Sequence, residues 1–322
     1  TKDIVFVLKL FRNFIEVENK GNKNRQPIYQ WEDVTEAEFR NIHEIQEILT
    51  DLGLVEAVFH LFYYHQKNKT VFRELLLLCI ALLYGGNKVV QDAFYEGFKH
   101  DYDNEILNNL AHILERLLES MRIKEGKRTQ DAYFKALQSI FNNNLTLNPR
   151  ISMIEDISQE VLSPNGNKND YDLLLIILEF LQNLCEGHYL NFQEFLRDQT
   201  LVEHSKSFNI PEFLRQVYHI YYKYHNIHNV ELGVKILDLL IEIQQGESQD
   251  NIDLMLKKTF INDLCNTLSQ FNANLDLLAR GYQLNPNNPA LMNLKWKVLI
   301  ILKDIVEKSD PSNLDKIAHF MD

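Results

Sequence analysis

Apolar residues recur at helical spacing along nearly the whole chain. Leu173, Ile177, Phe180 and Leu184 fall at i, i+4, i+7 and i+11, with Leu174 and Leu181 beside them, which describes the wide apolar face of a buried helix. Leu75 to Leu83, Val234 to Ile243 and Leu291 to Val306 follow the same pattern. No segment keeps a clean period of two, so no strands are predicted, and about fifteen helices joined by short loops account for the chain.

Helix ends are marked by residue type. Thr35 with Glu38 predicts a capping box ahead of Phe39, Ile42, Ile45 and Ile48. Asn148–Pro149 and Asn288–Pro289 read as an N-cap followed by Pro at the first helical position. Gly85, Gly187 and Gly246 each close an apolar helix, where a left-handed C-cap is expected. Residues 142–148 and 163–170 read as linkers.

The three closing glycines also define a weak repeat. Six residues after Gly85 comes Gln91-Asp92-Ala93-Phe94, six after Gly187 comes Gln193-Glu194-Phe195-Leu196, and six after Gly246 comes Ile252-Asp253-Leu254-Met255. Each unit is a buried helix, a Gly stop, a short turn and an amphipathic helix. Stacked helical pairs of this kind build armadillo and HEAT-type solenoids. The Gly-to-Gly intervals, 102 and 59 residues, are unequal, so the predicted fold is all-α, an irregular armadillo/HEAT-like helical solenoid. Reuse of Gly stops by an unrelated all-α protein is the alternative.

Composition narrows the function classes. The 322 residues are 45% hydrophobic and 24% charged, with 11 Gly and 7 Pro, which argues against a turn-rich all-β or a disordered chain. A net charge of −12 offers no basic surplus to displace phosphate counterions, so nucleic acid is not expected as a partner. The longest apolar run, Leu75 to Tyr84, falls far short of the roughly 18–20 residues that span a bilayer. Three cysteines, Cys79, Cys185 and Cys265, sit in apolar helical runs and read as inert buried thiols of a reducing compartment. The chain opens on Thr1, and a longer parent chain is expected.

No nucleophile, base or cofactor cradle can be assembled, and no enzyme is expected. Gly126-Lys127-Arg128 lacks the remainder of a phosphate loop. Tyr218 to His225, with His228, invites a zinc hypothesis, but no third ligand stands at useful spacing and packing or partner contact is the better reading.

Two glutamates stand out. Glu186 directly precedes Gly187 and Glu242 lies four residues before Gly246, so both carboxylates are expected in the last turn of a helix, where the macrodipole disfavours them. In the repeat frame they occupy positions −1 and −4, one helix face. If the units stack, two carboxylates with free backbone carbonyls beside them would suit a hard cation such as Ca²⁺. On spacing alone, two solvated glutamates that never meet are the alternative.

Residues 181–188, Leu-Gln-Asn-Leu-Cys-Glu-Gly-His, continued by Phe192-Gln193-Glu194-Phe195-Leu196-Arg197, resemble the signature block of the ryanodine and inositol trisphosphate receptors, in their homology-associated domain. Leu82 to Asn87 and Val90 to Phe94 resemble that family's other homology block, and Leu240 to Gly246 a third segment ending in Gln-Gly, all in the family's order. The resemblance implies three regions: an N-terminal helical homology block at 1–126, a helical linker region at 127–169 and a homology-associated solenoid block at 170–322. Ile241 and Ile243 stand where the family has more polar residues, and the linker after Arg128 is shorter than in many members.

The resemblance further implies a cytosolic regulatory solenoid of a homotetrameric calcium-release channel, on the cytoplasmic face of an endoplasmic reticulum-like membrane. Its partners would be the rest of the channel subunit or neighbouring chains. Glu186 and Glu242 match the two carboxylates that bind activating Ca²⁺, and His188 and Gln245 match the outer partners of those ligands. The family completes the site from its C-terminal domain, past the pore, so this sequence is expected to carry a half-site. Inositol trisphosphate binding is not carried over, since the β-trefoil domains have no counterpart. The other expectation is a pore-less scaffold in a cytoskeletal or ciliary assembly, in which the glutamates are incidental.

Overall fold

Each apolar run forms a helix. The computed structural model describes residues 1–17, 34–101, 104–123, 168–202, 207–224, 230–246, 248–273 and 289–308. Among these residues lie thirteen α-helices and no strand: α1 (Lys2–Val17), α2 (Glu36–Asp51), α3 (Leu54–His65), α4 (Lys69–Leu83), α5 (Lys88–Lys99), α6 (Glu105–Ile123), α7 (Lys168–Cys185), α8 (Leu190–Phe195), α9 (Ile210–Tyr224), α10 (Val230–Gln244), α11 (Gln249–Met255), α12 (Lys258–Ala273) and α13 (Pro289–Lys308). Short 3-10 turns follow at Glu186–His188 and Gln199–Val202. The fold is all-α and consistent with a helical solenoid. The expected cap at Asn148–Pro149, the residue Asn288, the stretch 142–148, most of 163–170, and His225 and His228 lie outside the described residues.

The capping box forms as its sequence predicts. Glu38 N donates to Thr35 Oγ1 at 3.3 Å and Thr35 N donates to Glu38 Oε2 at 2.9 Å, so two of the donors that begin α2 are satisfied. Gly85 and Gly187 take the expected left-handed backbone, with φ +80° and +69°. Gly246 does not have a left-handed φ; it is required for space, as described below.

The chain divides into two compact units, Thr1–Phe192 with Gln199–Phe208, and Gln193–Asp198 with Asn209–Asp322. In the first, α4 is central: it packs on α1, α3, α5 and α7, and every residue from Leu75 to Leu83 is buried. Helix α7 packs in turn on α4 and α6. An aromatic seam runs from Phe72 to Phe62 (5.7 Å between ring centres), on to Phe180 (6.5 Å) and to Phe94 (6.2 Å). Helix α1 is tied to α4 by Arg12, whose Nη1 donates to the buried Glu74 at 3.0 Å. In the second unit, α10 packs on α9, α11 and α13. Tyr218 of α9 lies fully buried against Phe260 of α12 and shares a 2.9 Å hydrogen bond with Thr267.

Two helices keep a second apolar stripe outside the core. Phe6, Leu10 and Phe14 of α1 and Met292, Trp296 and Leu299 of α13 are all exposed. Their spacing of three or four residues puts each set on one helix face. Among the described residues no helix is long and apolar enough to cross a membrane.

Candidate functional site

The two predicted glutamates stand at the C-terminal ends of α7 and α10. Helix α7 stops at Cys185, one residue before Glu186, which opens the 3-10 turn; Glu242 lies in the last turn of α10. Both side chains are half-buried. Helix C-termini leave carbonyls without intrahelical donors, and these carbonyls were expected to stand free as ion ligands. They are instead occupied. Gln91 of α5 sends its Nε2 to the carbonyls of Asn183 (3.2 Å), Leu184 (3.2 Å) and Glu186 (2.9 Å). Gln193 of α8 sends its Nε2 to the carbonyl of Glu242 at 2.8 Å.

The device has a third copy. Gln46 of α2 donates to the carbonyls of Ala81 (2.9 Å) and Tyr84 (3.1 Å) at the end of α4. All three glutamines are buried. An amide is suited to this place because its donors satisfy buried acceptors that would otherwise cost roughly 1–3 kcal/mol each. The end of α10 is closed further: Asn251 Nδ2 donates to Ile243 O at 3.3 Å and Lys308 Nζ to Gln244 O at 2.6 Å. The Lys308 charge also complements the negative end of the helix.

Around Glu186 the backbone turns sharply. Gly187 and His188 are both left-handed, with φ +69° and +62°. A non-glycine residue there is uncommon and marks a held turn. His188 is exposed. Gly86, also left-handed, leaves room for this corner: a Cβ on it would lie 3.1 Å from Glu186 O and 3.3 Å from Glu186 Cγ. The Tyr84 phenol is pushed above its ordinary value by burial first, then by the carboxylates of Glu186 and Glu179.

Around Glu242 the packing is set by Gly246, where a Cβ would overlap Gln193 Oε1. Gln245 is half-buried and its N–H donates to Ile241 O at 3.0 Å. Glu186 and His188 belong to the first compact unit, Glu242 and Gln245 to the second. Among the described residues no group of three or more His, Cys, Asp and Glu is placed to hold a metal ion.

Gln91 and Gln193 were visible in the sequence only as matching letters six residues after a glycine. Their role requires knowing which helix end each one meets. The aromatic stretch in α9 resolves as packing: Tyr218 and Tyr221 are buried, and His219 Nδ1 pairs with the buried Asp263 at 2.7 Å. Cys79 and Cys185 are buried as expected, while Cys265 is half-exposed. Residues 168–268, from the start of α7 to within α12, match the family model described as RyR and IP3R Homology associated, the same family that the sequence blocks resemble.

Proposed function

We propose that this chain is part of the cytosolic regulatory armadillo-like solenoid of an intracellular calcium-release channel, contributing a Ca²⁺-sensing half-site and coupling it to the gate. Glu186 and Glu242 supply the carboxylates, with His188 and Gln245 as their outer partners. The observation that carries this reading is that each glutamate projects from a helix end whose own carbonyl is pinned by a buried glutamine. The family match over 168–268 supports the same reading.

Ca²⁺ prefers several oxygen ligands, and two carboxylates fill only part of its shell. The remaining ligands come from a further channel element, and the subunit works as one of four at an endoplasmic reticulum-like membrane. Ca²⁺ then shifts the gate by the difference in its affinity for the closed and open arrangements, and by no more. A second reading, a pore-less scaffold in a cytoskeletal or ciliary assembly, is favoured by the exposed stripes on α1 and α13, which suit contact with other proteins.

The test is Glu186→Gln together with Glu242→Gln in the parent channel, with single-channel recording across a Ca²⁺ series. Activation moving to higher Ca²⁺ supports the site. An unchanged activation curve refutes the site, and a parent chain that carries no channel current favours the scaffold reading.

A further inference from the structure

Gln46 of α2, Gln91 of α5 and Gln193 of α8 each donate to the C-terminal end of another helix. Each is shut off from solvent. Gln46 closes the end of α4, Gln91 the end of α7, and Gln193 the end of α10. The partners lie 35, 95 and 49 residues apart in sequence, so none of these contacts is a local turn motif.

The three ends differ in one respect. The end of α4 runs Leu82-Leu83-Tyr84-Gly85 and carries no carboxylate. At the other two ends, one carbonyl that accepts from glutamine belongs to the residue whose side chain is the candidate ligand. Pinning the carbonyl fixes the peptide plane of Glu186 and of Glu242, and with it the origin from which each carboxylate swings. Cation affinity depends on how many ligand orientations survive, so a group that fixes a ligand's backbone acts on binding without touching the ion.

Resting on the Ca²⁺ reading above, we infer that Gln91 and Gln193 are positioning residues for the cation site, whereas Gln46 performs the same hydrogen bonding for stability alone. Gln91 holds Glu186 and Gln193 holds Glu242. Gly246 supports the second pair, since it leaves the space that the Gln193 amide fills. Gly86 supports the first by admitting the Glu186 backbone.

The experiment titrates the parent channel subunit, which also holds the remaining ligands, with Tb³⁺, a hard trivalent stand-in for Ca²⁺, following tyrosine-sensitised luminescence and its displacement by Ca²⁺. Thermal unfolding is recorded on the same samples. Gln91→Met and Gln193→Met keep side-chain length and remove the donors; each is expected to weaken Tb³⁺ binding about tenfold. Gln46→Met is expected to lower the melting temperature comparably and leave Tb³⁺ binding unchanged. Gln91→Asn and Gln193→Asn, which keep the amide but withdraw it by one methylene, serve if the Met variants do not fold, and are expected to weaken binding in the same direction.

Three outcomes overturn the inference, and they are distinguishable. Gln46→Met weakening binding as much as the other two would make all three glutamines structural plugs. Unchanged binding in the Gln91 and Gln193 variants, with binding lost in Glu186→Gln/Glu242→Gln, would remove the positioning role and keep the ion site. Unchanged binding in that double glutamate variant would remove the ion site and the positioning role together.

Discussion

Gly246 is the space into which Gln193 reaches: a Cβ on Gly246 would overlap Gln193 Oε1, while the same amide donates to Glu242 O at 2.8 Å. Gly187 closes its helix for a different reason, a left-handed φ of +69° in open surroundings, where the nearest atom to an added Cβ is Gly86 O at 3.9 Å. Asn tolerates the left-handed region and fills space. Gly187→Asn is therefore expected to be mild, whereas Gly246→Asn or Gly246→Ala displaces the amide and costs about 1–3 kcal/mol. Urea denaturation of the variants checks the ordering.

The Arg12–Glu74 pair gives a second prediction. Glu74 is buried and accepts from Arg12 at 3.0 Å and from Arg73 at 3.3 Å. Arg12 also lies 3.9 Å from Glu16, itself buried, so removing Arg12 takes a cation from two buried carboxylates at once, at a cost of up to about 3–5 kcal/mol. Arg12→Met alone should lower the urea midpoint more than Arg12→Met combined with Glu16→Leu and Glu74→Leu. Equal loss in both would show that the pair does not govern how α1 is held.

A third concerns pH. Burial pushes the Asp101 carboxyl up to about 7, with Glu105 acting in the same direction and the Ile106 N–H, 2.7 Å away, acting against both. The folded chain thus keeps this proton over a range where an unfolded aspartate, near about 3.9, has released it. The group's contribution to stability is full below that unfolded value and is lost as pH rises through about 7. Asp101→Asn should flatten the fall in unfolding free energy between these limits. An unaltered slope would refute the assignment.

The thiols supply a fourth. Burial raises Cys79 well above its ordinary range, and Cys265 is raised for the same reason although half-exposed. A disulfide-exchange reagent should modify native Cys265 first, more slowly than free cysteine, because the thiolate is the nucleophile. Cys79 and Cys185 should react only on unfolding. Cys265→Ser should abolish the native reaction.

Local chemistry was legible in the sequence, and long-range contact was not. The Thr35–Glu38 capping box and the left-handed Gly85 and Gly187 follow from residues within one helical turn of each other. Gly246 carries the same sequence signal as Gly187, yet its requirement comes from Gln193, far away in the chain. Glu186 and Glu242 could be placed at helix ends from periodicity alone. Their carbonyls were expected free because a helix leaves its last carbonyls without intrahelical donors, and the donors come from Gln91 and Gln193 on other helices. In the same way, Gly233 inside α10 has no local motive; the Tyr221 ring fills the place its Cβ would take.

The hydrogen bonds of Gln91 bear on how this protein can be dissected. The family match opens at residue 168, where α7 itself opens, and so leaves Gln91 behind. A polypeptide trimmed to the homology limits would carry the oxygens of Asn183, Leu184 and Glu186 without the donor that seals them. It would also bare the surfaces that α7 lays on α4 and α6. The border of the family match and the border of independent folding therefore fall at different places, and an expression boundary drawn to keep this helix soluble belongs upstream, ahead of α1, which packs on α4.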